Sequence, residues 1–384
     1  MSDPEATHNL LIVSDMHVAE GFLPEAGERS FGHDAFLYDG AFARFLRYHQ
    51  QQRWDAESRL ASGQRPDTDD AIPDPLLLRP WRLIIAGDFV DFWDVARKPG
   101  DHPALRQALK EQLRAFQGNQ KVVDWICNRL DRLERIVPTS KMPEQCKGRE
   151  HDAGLSSPDY HEVRDELDRL GLEDGPQRRT FEQLAWWTES LLLKEGLKLT
   201  PRERRHGLGT TWQEVLWKLT LVYRGHRELF AALAWFIACG NEVVLLKGNH
   251  DLELYWPQVH QGHLPHLLVD AYRDLLDGVP VGPTLDQHPL ALPPDAPDLD
   301  AFKGLLPNYV PGSETDTRAA GMSFHFEQWI YYEKDHVYVE HGNQYEPLDA
   351  SESFLAPEWP RDGEPRRIEL PWGGFMARYV YNKI

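Results

Sequence analysis

Four short runs of apolar residues stand out along the chain: Leu10-Leu11-Ile12-Val13, Leu83-Ile84-Ile85-Ala86, Val243-Val244-Leu245-Leu246 and Val337-Tyr338-Val339. None alternates with polar residues, and all are rich in β-branched or large side chains. That pattern predicts strands buried on both faces, as in a parallel sheet. Each run stops at a polar cluster. In chain order these are Asp15-Met16-His17, Gly87-Asp88-Phe89-Val90-Asp91, Gly248-Asn249-His250-Asp251 and His341-Gly342. Ligands gather at the carboxyl ends of strands in open α/β sheets, so tips distant in sequence can converge. The period of two in extended backbone points Asp15 and His17 the same way. Gly87 and Gly248, and by the same reasoning Gly342, let the chain bend out of the sheet and come close to a ligand with no Cβ in the way.

Between these runs the period changes. Residues 104–137 carry Val122, Val123, Ile126, Leu130 and Leu133 at spacings of three and four, which predicts helix up to Pro138. Helices are also expected over 159–172, over 181–197 with Leu184, Trp187 and Leu191 on one face, and over 212–239. Residues 51–80 and the proline-rich 279–312 read as loops. The last residues, 371–384, place Phe375, Met376, Tyr379 and Val380 in a helix-like pattern. Roughly 155 residues separate Asp91 from Gly248, far more than a βα connection needs, so an insertion is expected there. The expected organisation is a core of residues 1–98 and 240–384, with a helical cap over 99–239 placed to overhang the strand tips.

Composition narrows the partners. The 384 residues include 42 Lys plus Arg against 61 Asp plus Glu, a net charge of -19. Such acidity argues against broad nucleic-acid binding. Cys127, Cys146 and Cys239 are widely spaced and read as reduced thiols, which together with a polar start, Met1 to His8, gives a cytoplasmic expectation. Residues 229–238 are apolar but only about half of the roughly 20 residues a spanning helix requires, so no transmembrane segment is expected. The 13 tryptophans suit a Trp-rich core, an apolar groove or a membrane-facing surface. Oligomeric state is not legible.

Any one polar cluster is a weak signal, since Asp-x-His after a strand is common and Gly-Asp-x-x-Asp can be a capped turn. Their joint order is specific. The series D-x-H, G-D-x-x-D, G-N-H-D and a lone His followed by Gly resembles that of the calcineurin-like metallophosphoesterases. The resemblance implies an α/β fold in which a β-sandwich is flanked by helices (α/β/β/α). It implies two divalent ions, bridged by Asp88, with Asp15 and His17 on the first and Asn249 and His341 on the second. Hard carboxylate oxygens with imidazoles suit Mn first, with Fe or Zn also compatible. His250, paired with Asp251, would stabilise the transition state or protonate the leaving oxygen, and Asp91 would support a metal ligand from behind or brace the loop. The implied activity is hydrolysis of a phosphomonoester, phosphodiester or pyrophosphate bond by a hydroxide that the two metals activate. The implied substrate is a phosphorylated small molecule or a lipid-like one. The alternative is a catalytically impaired relative that engages a partner protein through its cap.

One element of the family pattern is missing. A closing G-H-x-H is expected after the fourth motif, yet no histidine follows His341. The core is therefore expected to be incomplete at its C-terminal part, and its ions weakly held. Gly262-His263-Leu264-Pro265-His266 has the wrong spacing and order and reads as a surface loop, and His325 and His336 are weaker candidates still.

Overall fold

The computed structural model describes residues 7–21, 35–62, 75–95, 103–116, 118–136, 207–308, 321–334, 336–359 and 366–380, with residues 167, 169–172, 178, 181 and 184. The chain divides into two compact units. One comprises Met1–Gly21, His33–Val95 and Gly209–Ile384; the other comprises Phe22–Gly32 and Ala96–Leu208.

The first unit is built on a four-stranded parallel sheet, β1 (Asn9–Val13), β2 (Trp81–Ala86), β3 (Glu242–Leu246) and β4 (Phe324–Glu327), arranged in chain order. The register aligns Ile12 with Ile84, Ile84 with Val244 and Val244 with His325, which fixes the faces. One face carries Ile84, Val244 and Leu246, and on it packs a hairpin through Tyr331 and Val339. That hairpin pairs β5 (Ile330–Glu333) with β6 (Val337–Glu340), antiparallel. Leu83, Ile85, Val243 and Leu245 point the other way and are fully buried on the helical side. There helix α5 (Arg227–Ala238), buried at every position from Glu228 onward, packs on β3 and on α1 (Asp39–Ala61). A short pair, β7 (Glu358–Trp359) with β8 (Arg367–Ile368), completes the strands described.

Several expectations change here. The run Val337-Tyr338-Val339 is not a sheet interior strand: Tyr338 is exposed while Val339 packs on the parallel sheet, as a strand covered on one face allows. Residues 51–61 are helical, the second half of α1, held by the i,i+4 pairs Gln51–Asp55 and Arg53–Glu57. The helix expected over 212–239 is two, α4 (Trp212–Gly225) and α5, broken at His226. Thr211 opens α4 with a capping box to Glu214. Both helices cluster with the sheet, so the boundary between the units falls at Leu208 instead of 239. Residues 279–312 include two single-turn helices, 283–287 and 299–303. The segment read as a surface loop at 262–266 is helical, closing a π-turn (Gln258–His263) and opening α6 (Leu264–Leu276).

In the second unit α2 (Pro103–Ala115) and α3 (Gln120–Ile136) pack through Leu109, Leu113, Val122, Ile126 and Leu130 against Leu167, Phe181 and Leu184. The helical periodicity read from the sequence therefore holds across 103–136 with a break at 116–119. Most of the segments 159–172 and 181–197 lies outside the described residues. Cys127 is disulfide-bonded, contrary to the expectation of three reduced thiols, while Cys239 is a buried free thiol. Among the described residues no helix is long and apolar enough to cross a membrane.

Candidate metal centre

The first two motifs are held side by side beyond the ends of their strands. His17 N–H donates to Asp88 O (2.9 Å), Val18 N–H to Phe89 O (3.0 Å) and Asp91 N–H to Val18 O (3.0 Å), so the β1–β2 pairing resumes at Val18 and Val90. Between strand and bridge the chain must bulge. It does so through Asp15 (φ 53°), His17 (φ 48°) and Asp88 (φ 50°), the three non-glycine residues with positive φ among those described. Left-handed backbone at a residue with a Cβ costs about 1–3 kcal/mol and collects at functional sites. Here all three fall on expected ligands.

The glycines act as the sequence implies. A Cβ on Gly248 would lie 2.1 Å from Asp88 Oδ1, and one on Gly87, at φ 86°, would lie 2.5 Å from the His341 ring. These absences let the third and fourth motifs close on the second. His250 N–H donates to Asp88 Oδ1 (2.9 Å). Asp251 accepts from Gly248 N–H (2.6 Å) and Phe89 N–H (2.8 Å), which ties the two loops together.

Around Asp88, itself buried, the expected ligands come together. Asp88 Oδ2 is 3.7 Å from His17 Nε2 and 3.2 Å from His341 Nε2. His17 Nε2 is also 3.9 Å from Asp15 Oδ1, and Asp15, His17 and Asp88 form a group able to hold one ion. On the other side His341 Nε2 meets Asn249 Oδ1 at 3.0 Å. His341 Nδ1–H donates to Ala86 O (2.9 Å), a carbonyl that can only accept. Nε2 therefore presents a lone pair, or a second proton, toward two oxygen acceptors. In the first case three acceptors face one another, a donor set that could hold a divalent ion. As a proton site instead, His341 is opposed by burial but held up to about 9 by Asp88.

Asp91 keeps the bracing role expected of it and also takes the place beside His250 that was expected of Asp251. The partner of His250 is Asp91, whose Oδ2 lies 2.8 Å from His250 Nδ1 and 3.3 Å from His17 Nδ1. Its other oxygen accepts from Trp93 N–H (3.0 Å) and Asp94 N–H (3.1 Å), so it also braces its loop. Against the opposing effect of burial, His17 and His250 hold Asp91 well below the usual carboxylate range. Burial also opposes the His250 imidazolium, but Asp91, Asp88 and Asp251 push its pKa up to about 8. The bond to Asp91 raises His17 as well. Asp251 is taken up by the backbone donors of Gly248 and Phe89, and burial together with Asp88 pushes its pKa up to about 7. Adjacency in sequence suggested Asp251. Asp91 was the better candidate because its loop runs alongside His17.

Trp93 was not singled out from the sequence. Its buried indole stacks on the His250 ring (centroids 3.9 Å apart, planes 29°), while His17 meets that ring edge-on at 4.4 Å. Helix α7 (Trp372–Tyr379) supports the indole, for a Cβ on Gly374 would fall 2.6 Å from Trp93. The decoy histidines are committed elsewhere. His263 Nε2 bonds to the Thr220 hydroxyl (2.8 Å), and His266 sits 3.9 Å from Asp270. His325 lies within β4 and His336 in the hairpin turn. Comparison with protein-family models, with curated proteins and with solved structures finds no match.

Proposed function

We propose that this centre binds two divalent ions and that the chain is a metal-dependent phosphoester hydrolase of the calcineurin-like kind. The observation that carries the reading is the position of Asp88 Oδ2, between His17 Nε2 at 3.7 Å and His341 Nε2 at 3.2 Å. One carboxylate shared by two imidazole-bearing loops is the arrangement a bridging ligand needs. Asp15 and His17 would complete the shell on one side of Asp88, and Asn249 and His341 on the other. Two ions about 3.5–4 Å apart would polarise phosphoryl oxygens and acidify water. Mn fits the oxygen and imidazole donors, with Fe and Zn the alternatives.

The chain's own residues supply the rest. With Nδ1 engaged by Asp91, the His250 ring would offer Nε2 to a leaving oxygen, the place a general acid takes. Side-chain exposure of Asp15 is 61%, against 3% for Asp88, so the cluster opens to solvent on the Asp15 side. A phosphorylated small molecule or a lipid-like phosphate could approach from there. Hairpin packing on one sheet face, with helices on the other, supports the layered fold that the resemblance implies.

Hydrolysis of an aryl phosphate with added Mn, measured together with metal content, tests the reading. The native chain should show Mn-dependent turnover, and Asp88→Ala should lose both turnover and bound Mn. Absence of Mn-dependent hydrolysis in the native chain would overturn it.

A further inference from the structure

Lys218 is a buried cation outside the metal cluster, on α4, and its side chain is 5% exposed. Its Nζ donates to the backbone carbonyl of Phe92 at 2.9 Å. On its other side, at 3.9 Å, is Glu253, a fully buried carboxylate with no hydrogen bond to either oxygen among the described residues. Phe92 follows Asp91 directly, and Glu253 lies two residues beyond Asp251. One ammonium group thus contacts the turn after the second motif and the helical turn after the third.

Stability alone explains this arrangement poorly. A buried ion pair with a 3.9 Å gap recovers little of the desolvation cost of its two charges, and apolar side chains of the same volume would serve the core as well. Burial lowers the Lys218 pKa to about 8, against the stabilising field of Glu253. What the charge does secure is the Phe92 carbonyl. The turn it holds carries both groups that orient His250: the Asp91 carboxylate at 2.8 Å and the Trp93 indole stacked at 3.9 Å. Phe92 N–H also donates to His250 O (3.3 Å), so any shift of this turn reaches the histidine through three contacts.

We infer that Lys218 is a positioning residue for His250, anchoring the Asp91–Trp93 turn through the Phe92 carbonyl with Glu253 as its counter-charge. Its functional meaning rests on the acid role proposed for His250, but its geometry can be tested separately. In the metal-free chain the His250 Nδ1 proton bonded to Asp91 should give a downfield proton resonance, assigned by its loss in His250→Ala. Glu253→Gln retains the Lys218–Phe92 bond and should keep the resonance. The double variant Lys218→Met with Glu253→Gln removes both charges of the pair; it should lose the resonance or shift it upfield, and lower kcat with KM unchanged. If the double variant does not fold, Lys218→Gln with Glu253→Gln, which keeps a polar side chain at both positions, supplies the same comparison. An unchanged resonance in a folded Lys218 variant, or equal loss in Glu253→Gln, would overturn the inference. If the native chain shows no hydrolysis, the proposed function falls while the resonance still decides the positioning.

Discussion

Asp91 Oδ2 lies 2.8 Å from His250 Nδ1 and 3.3 Å from His17 Nδ1, so a single carboxylate oxygen orients one proposed metal ligand and the proposed acid. Replacing it should disturb both functions at once. Asp91→Asn keeps the volume but removes the charge that sustains the imidazolium. We expect a fall of about 10–100-fold in metal affinity or turnover, the usual range when a residue orienting a ligand is lost. Kinetics combined with Mn titration check this; wild-type values in both would remove Asp91 from the site.

His250 and Asp251 should separate cleanly. His250→Ala should lower turnover by about 10²–10⁴-fold, the range of a general acid, with Mn content retained. Asp251→Ala removes the acceptor of two backbone N–H groups and should instead lower folding stability by about 2–4 kcal/mol, seen as a lower denaturation midpoint. Loss of bound Mn in His250→Ala would show that His250 is a ligand.

Gly248→Ala tests the close approach of the loops. The added methyl would sit 2.1 Å from Asp88 Oδ1 and must displace the carboxylate or the loop. Overpacking of this kind costs about 1–3 kcal/mol, and Mn binding should weaken with it. An unchanged midpoint and unchanged Mn affinity would mean that the loops have room to spare.

The apolar runs at Leu83 and Val243 revealed β2 and β3 because a strand buried on both faces must be apolar throughout; the run at Leu10 revealed β1 although that strand is at the sheet edge and its Ile12 is exposed, contrary to the expectation of burial on both faces. Their polar tips revealed the cluster. β4 was hidden: Phe324-His325-Phe326-Glu327 mixes polar and apolar residues, and no glycine-rich motif marks its end. Residues 51–61 were hidden for a related reason, since that part of α1 keeps its polar side chains in solvent or in local pairs and shows little apolar stripe. His341 was legible but its strand was not, because Val337-Tyr338-Val339 suits either a sheet interior or one half of a covered hairpin. That His250 takes Asp91 and not Asp251 as its partner depended on side-chain direction in irregular loops, for which spacing offers no rule.

At the far ends of the strands, Glu242 meets Arg82 at 2.7 Å and His8 at 3.2 Å. Burial opposes its ionisation, but these partners hold its pKa down to about 2. The folded pKa is thus below the unfolded value, so the stabilisation is full above roughly pH 4.5 and fades as pH falls toward 2. Glu242→Gln should therefore lower the melting temperature at pH 7, with the gap to the native chain narrowing between pH 4.5 and pH 2. A gap independent of pH would show that the carboxylate charge is not the source.

The central claim is that Asp88 bridges two cations, and anomalous scattering from crystals soaked in Mn measures this most directly. The account predicts two peaks flanking Asp88 Oδ2, one contacted by Asp15 and His17 and the other by Asn249 and His341. At saturating Mn, no peak beside Asp88, or a single ion held by His17, Asp91 and His250 alone, would contradict it.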